Sequence, residues 1–211
     1  MGIHTLSPQR MDWKGLSEKH TAECRGVMVE EKTVSELPIP ILPKRYHGYG
    51  FGNFYGAPKL VEDLKNHMVN KSNIILSGAT GSGKTHLAVS CLREFKTPDG
   101  ALFITVPELL MKARGTFREN SDTTEEKLIQ TYTSRQLLCL DDLGAEKNSD
   151  YAITTLYLII DKRIAECRQT IITTNLTLQE IETTFGARIA SRLSAMENIK
   201  INMPDYRKKR K

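Results

Sequence analysis

Cysteine, tryptophan and long apolar runs are scarce in this 211-residue sequence, which holds four cysteines and one tryptophan. Cys24, Cys91, Cys139 and Cys167 are scattered and form no C-x-x-C pair. Neither a zinc site nor a disulfide framework is indicated, and buried reduced thiols are the expectation. No run approaches the ~18 apolar residues of a membrane-spanning helix. The opening stretch MGIHTLSPQRMDWKG lacks the apolar core of a signal peptide, so a cytoplasmic location is expected. No internal repeat is found. What is present, 39% hydrophobic and 26% charged residues, suits a soluble globular chain of one domain with an arm or tail. The net charge of +5 is uneven. Arg207 to Lys211 are all basic, whereas residues 73–206 carry 15 Lys and Arg against 17 Asp and Glu. That tail is either a contact for phosphate backbones or a solvated end.

The chain is organised around residues 74–88. Ile74-Ile75-Leu76 open an apolar run, Ser77 to Gly83 make a glycine-rich turn, and Lys84-Thr85-His86-Leu87-Ala88 leave as a helix. Gly78, four residues, then Gly83-Lys84-Thr85 complete a Walker A pattern. Glycines let the loop aim successive N–H groups at phosphate oxygens, and the helix start adds the positive end of its dipole. Lys84 is placed for the β- and γ-phosphates, and the Thr85 hydroxyl for Mg²⁺. The expected nucleotide-binding set is Gly78, Ala79, Thr80, Gly81, Ser82, Gly83, Lys84, Thr85 and His86.

Residues 1–45 show no sustained period, and Pro38, Pro40 and Pro43 interrupt them, which reads as an arm. Trp13 is a candidate anchor within it. YHGYGFGNFYG at 46–56 is rich in aromatics and glycine, and is either a base-stacking surface or a clamp packed on the domain or beside a nucleotide base. Pro58 opens a helix whose face carries Leu60, Val61, Leu64 and Met68. Further strands are expected at 101–106, from 137, from 170 and at 199–203. Helices are expected at 84–95, from Pro107, at 123–134, at 150–166 and over FGARIASRLSAME. Strands alternating with helices give a mostly parallel sheet covered on both sides.

Leu137-Leu138-Cys139-Leu140 runs into Asp141-Asp142, a Walker B pattern. Asp141 is the candidate for holding Mg²⁺ with Thr85, and Asp142 for orienting or deprotonating the attacking water. Asn175 follows the strand from Thr170. It fits a residue that positions water near the γ-phosphate, or else a helix cap. Arg188 and Arg192 lie one turn apart on one helix face.

GATGSGKTHLA, FITVPELLMKARGTFRENS, LLCLDDLGAEKNSDYAITTLYLIIDKR, IITTNL and GARIASRL occur in the order seen in replicative helicase loaders of the DnaC/DnaI type. The chain therefore resembles that group of AAA+ ATPases, which is close to the DnaA initiators and to IstB-type transposition helpers. The resemblance covers about residues 46–206. It implies an α/β AAA+ P-loop NTPase with a five-stranded, mostly parallel sheet, an N-terminal arm at 1–45, an ATPase domain at 46–206 and a basic tail at 207–211. It implies Asn175 as sensor 1, Arg192 as the arginine finger reaching a neighbour's ATP, and Arg188 as its companion. The helices between 107 and 134 match the insertion that touches single-stranded DNA, with Lys112, Arg114 and Arg118 as candidate phosphate contacts.

There are departures. Many AAA+ members carry Asp-Glu where this chain has Asp141-Asp142, so slow turnover is expected. DnaI-type loaders carry a zinc-bearing N-terminal domain, and with only Cys24 in the first 72 residues its zinc site is not expected here. Arg207 is a weak candidate for sensor 2. The function implied is an ATP-dependent loader of a DnaB-like replicative helicase in DNA replication, using ATP/ADP and Mg²⁺ and assembling head to tail into a ring or spiral. Three rivals stay open: an IstB-like ATPase helper of transposition acting on duplex DNA, a non-hydrolysing nucleotide-bound adaptor, and a P-loop small-molecule kinase.

Overall fold

The computed structural model describes residues 42–95, 100–117, 123–145 and 149–206. Trp13, Cys24, Arg118 and the basic tail lie outside them. Among the described residues, five strands form one parallel sheet: β1 (Ile74–Gly78), β2 (Ala101–Thr105), β3 (Leu137–Leu143), β4 (Gln169–Thr174) and β5 (Glu197–Ile201). Their order across the sheet is β2-β3-β4-β1-β5. The helices are α1 (Pro58–Val69), α2 (Lys84–Glu94), α3 (Val106–Gly115), α4 (Glu125–Ser134), α5 (Asp150–Ala165), α6 (Leu178–Phe185) and α7 (Ala187–Ser194).

Alternation along the strands sorts the core into two layers. Ile75, Ile104, Leu138, Leu140 and Ile172 point to one face and pack with α3 to α7. Ile74, Leu76, Phe103, Leu137, Cys139 and Ile171 point to the other and pack with α1, α2 and the aromatic segment before α1. Strands buried on both faces read as unbroken apolar runs, which is why β1, β3 and β4 stand out in the sequence. Cys91 and Cys139 are buried free thiols.

Local chemistry explains the helix starts. Thr105, Thr124, Ser149 and Thr177 each accept a hydrogen bond from a backbone N–H of the first turn. Thr177 and Glu180 complete a capping box. The cap of α6 is therefore Thr177, not Asn175. The helix expected from 123 begins at Glu125 because Thr124 is its cap. β5 starts at Glu197, two residues before its apolar pattern, because its backbone pairs with β1 from Ile74. At that exposed sheet edge the ladder, not the side chains, sets the boundary.

The aromatic segment is a clamp. Tyr46, Phe51 and Phe54 are buried in the α1–α2 layer, with Leu42 beside them. Two 3₁₀ turns, Lys44–Tyr46 and Phe51–Asn53, fold it back over the start of α2. No helix among the described residues is long and apolar enough to cross a membrane.

Candidate nucleotide site

The turn after β1 opens into a cleft of about 860 Å³ at the C-terminal ends of the strands, the usual ligand position in such sheets. Thr80, Gly81, Gly83, Lys84, Thr85 and His86 line one side. Arg45, Tyr46, Tyr49, Asn53 and Phe54 line the other, and Asp142 and Tyr206 also belong to the lining.

Two glycines are required by contact as well as by angle. Gly78, at φ +152°, would put a Cβ 2.5 Å from the Ile201 carbonyl oxygen, and Gly83, at φ +97°, would put one 2.6 Å from the Phe54 ring. A side chain at either would push β5 or the clamp away. The chain after β5 also reaches the loop: the Tyr206 N–H donates to the Gly81 carbonyl (3.2 Å), and its hydroxyl to the Tyr55 carbonyl (2.7 Å).

Lys84 is almost fully buried. Its ammonium donates to the carbonyls of Gly78 (2.9 Å) and Ala79 (2.8 Å), closing the loop on itself. The Thr85 hydroxyl lies 3.0 and 3.1 Å from the two oxygens of Asp141. Asp141 is fully buried, and its other partner is the Thr173 hydroxyl, 2.7 Å away. Burial raises its carboxyl from the ordinary 3.8 to about 6, against the lowering effect of the Thr173 hydrogen bond, while nearby Asp142 adds to the rise. A hydroxyl and a carboxylate whose hydrogen-bond partners are neutral form a hard-oxygen pair. That donor set fits Mg²⁺, which takes one or two protein ligands and completes its shell with phosphate and water. No cluster of three His, Cys, Asp or Glu residues suited to a metal occurs among the described residues.

His86 stacks flat on Tyr49, with ring centroids 4.4 Å apart and planes at 4°. Its Nε2 meets the Gly50 carbonyl (3.0 Å) and Asn53 Oδ1 (2.9 Å). The helix that carries the phosphate-loop lysine is thus tied to the clamp.

The remaining expected residues lie elsewhere. Asn175 is exposed just past β4 and is not in the cleft lining. Arg188 is exposed on α7. Arg192, also on α7, pairs with Asp161 of α5 at 2.5 Å, with both side chains about two-fifths exposed, and its guanidinium sits 5.9 Å from the Tyr157 ring centre. Neither arginine lines its own chain's cleft. On α3, Lys112 pairs with Glu108 (3.0 Å) and Arg114 donates to Ser149 (3.4 Å). Beside them Phe117, 64% exposed, meets Tyr151 edge to face.

Sequence reasoning missed Arg45, Tyr49, Asn53 and Thr173 as site residues. The first three come from the segment before α1, where the aromatic and glycine content was the visible signal. Thr173 carried none, because a threonine in a buried strand is ordinary.

The IstB-like ATP binding protein family matches residues 29–211. The chain is 30% identical over 176 residues to the replicative helicase loader DnaC of Buchnera aphidicola subsp. Baizongia pistaciae, covering 78% of this chain and 71% of that protein. It is 33% identical over 125 residues to DnaC of Escherichia coli K12, covering 59% of this chain and 51% of that one; the match thus spans about half of the latter's length. The crystal structure of a DnaC helicase loader superposes with a TM-score of 0.67 at 24% identity, over 76% of this chain and 100% of that one. The fold is that of the AAA+ P-loop ATPases. With the phosphate loop, the paired acids and the sheet order in place, this chain belongs to the IstB-like ATP binding protein family.

Proposed function

We propose that this chain is an ATP-dependent loader of a replicative DNA helicase, binding ATP with Mg²⁺ and holding single-stranded DNA. The observation that carries the ATPase half is Thr85 hydrogen-bonded to the buried Asp141 beside the Gly78–Thr85 loop. Similarity to two proteins named DnaC supports the loading half.

In this reading the amides of Gly78 to Gly83 and the start of α2 cradle the phosphates. Lys84 leaves the Gly78 and Ala79 carbonyls for the β- and γ-phosphates. Thr85 and Asp141 would hold Mg²⁺, which neutralises charge building on the phosphoryl oxygens. Asp142 orients or deprotonates the attacking water, and its short side chain suits slow turnover. Asn175, at the end of β4, positions that water. Tyr49 and His86 flank the nucleotide, with Ala79, Thr80, Gly81, Ser82 and Gly83 forming the rest of its loop.

Arg192 would act as the finger on a neighbouring subunit's ATP, with Arg188 beside it. Its distance from its own cleft supports a head-to-tail assembly, ring or spiral. Lys112, Arg114 and Arg118 would meet DNA phosphates, and the exposed Phe117 offers a ring on which a base can stack. Residues 1–45 are the proposed N-terminal arm, partner-binding or disordered, with its end at Leu42 and Arg45 packed on the domain and its cleft; 46–206 are the ATPase domain and 207–211 a basic tail, in a cytoplasmic protein.

The test is a pull-down with purified DnaB-like helicase, with and without ATP, followed by single-stranded DNA binding of the complex. An ATP-sensitive complex that places helicase on single strands is expected. The family's IstB-like description favours a second reading, a transposition helper on duplex DNA. Absence of helicase binding together with ATP-dependent coating of duplex would select it.

A further inference from the structure

The β3–β4 ladder breaks where the two acids sit. Leu140 pairs with Ile172, and the next pair is Leu143 with Thr174. Three steps along β3 are matched by two along β4, so β3 carries one extra residue. This is a β-bulge, a device that re-aims side chains. Asp142 accordingly has φ +60°, a left-handed angle unusual for a residue other than glycine. In a regular strand, Asp141 and Asp142 would point to opposite faces of the sheet. Here Asp141 keeps the face of Leu137 and Cys139, toward Thr85 of α2, while Asp142, within the bulge, lines the cleft.

A bulge leaves backbone groups without ladder partners, and a buried N–H must find another acceptor. One side chain supplies it. The fully buried Thr173 hydroxyl accepts from the Asp142 N–H (2.9 Å) and donates to Asp141 Oδ1 (2.7 Å). Thr174 repeats the device on the other flank, donating to the Leu143 carbonyl (2.8 Å) and accepting from the Leu176 N–H (3.0 Å). The preceding residues of β4, Ile171 and Ile172, pair with β3 by backbone alone.

We infer that Thr173 is the positioning residue of this site: its hydroxyl holds the Asp141 carboxylate at the cation position by a direct hydrogen bond, and pins the bulge that brings Asp142 to the cleft. The inference rests on the proposed ATP–Mg²⁺ reading. A hydrogen bond to an ionised carboxylate orients that ligand, as partners behind metal ligands do. Valine at 173 has the same shape and the same strand preference but supplies neither the donor nor the acceptor. Asp142 would then lose its backbone anchor, and Asp141 one of its two orienting partners.

The test uses the full chain with Thr173→Val, Thr173→Ala and Thr173→Ser. Binding of a fluorescent ADP analogue is titrated in EDTA and then against rising Mg²⁺, and each chain is melted thermally. The expected result for Thr173→Val is a Mg²⁺ midpoint raised about tenfold, with affinity in EDTA within about twofold of the native chain. Thr173→Ser, which keeps the hydroxyl, should restore the native midpoint. A native midpoint in the valine chain overturns the inference, and so does an equal loss with and without Mg²⁺, or a serine chain that behaves like valine. If the valine chain does not fold, the alanine and serine chains decide by the same criteria. Failure of the native chain to bind the analogue at all overturns the nucleotide reading itself, and this inference with it.

Discussion

Beside the cleft, Thr85, Asp141 and Thr173 share hydrogen bonds inside one chain, with Asp141 and Thr173 fully buried behind the half-buried Thr85. At the α5–α7 edge, Arg192 has the single carboxylate of Asp161, and both are open to solvent. Two arginines measure the difference. Arg163 of α5 is fully buried and donates to the Thr170 hydroxyl and to the carbonyls of Tyr132, Thr133, Arg135 and Gln169. Burial first, and the charge of Arg168 second, lower its pKa from 12.5 to about 9. It ties the end of α4 to α5 and β4, and every partner is neutral and fixed. Arg192 can exchange its partner at small cost. The first region is complete within one chain, and the second suits a group that finds its working partner outside it.

The sharpest way to break this contrast is Arg192→Ala. Nucleotide affinity should stay within about twofold, while assembly-dependent ATP hydrolysis falls on the order of 10³-fold, as for other fingers acting in trans. Turnover measured against protein concentration checks it. Unchanged turnover would remove the trans role.

Next comes Arg163→Ala. Removing the guanidinium leaves buried carbonyls of Tyr132, Arg135 and Gln169 short of a donor, and should cost about 3–5 kcal/mol. A urea midpoint lowered at constant slope is the expected readout. A loss below about 1 kcal/mol would mean that the buried arginine is no more structural than the exposed one.

The acid at the cleft gives a smaller effect of opposite sign. The folded-state pKa of Asp141, about 6, lies above its ordinary 3.8, so the native chain holds this proton more tightly than the unfolded one. Stability from this group is present at low pH and declines as pH rises from about 4 to about 6. Two pH units correspond to roughly 3 kcal/mol, an upper bound. Asp141→Asn should therefore stabilise the ligand-free chain by about 2 kcal/mol at pH 7 and flatten that part of its pH–stability curve. It should also abolish Mg²⁺-dependent tightening of nucleotide. Urea unfolding at pH 4, 6 and 7.5 checks it, and a destabilised Asn chain would refute the cost assigned to the bare carboxylate.

Much of this was legible in the sequence for a physical reason. Strands buried on both faces leave apolar runs, and the phosphate loop needs glycines at fixed spacing, so β1, β3, β4 and the residues Gly78 to Thr85 could be read directly. The acids Asp141 and Asp142 could be read as a pair, but not the bulge that brings Asp142 to the cleft. A bulge is a mismatch between two strands, and it exists only once β4 lies beside β3. Thr173 was hidden for the same reason, and so was the buried role of Arg163, since a lysine-arginine pair late in a helix reads as solvated charge. The clamp was half legible: the aromatics of 46–56 announced packing, but not that His86 would stack on Tyr49. Arg188 and Arg192 were readable as neighbours on a helix, and only the fold shows them away from their own cleft.

The smallest effect tests the edge itself. Asp161→Asn removes the charge opposite Arg192 and keeps the side chain's size. An ion pair this exposed contributes about 0.2–1 kcal/mol, so the urea midpoint should barely move. The informative readout is turnover at saturating protein. If Arg192 must leave Asp161 to reach a neighbour's ATP, the Asn chain should hydrolyse at least as fast as the native one, and at lower protein concentration. A turnover loss approaching that of Arg192→Ala would mean that Asp161 presents the finger instead of competing for it. The α5–α7 edge would then be as deliberately wired as the cleft.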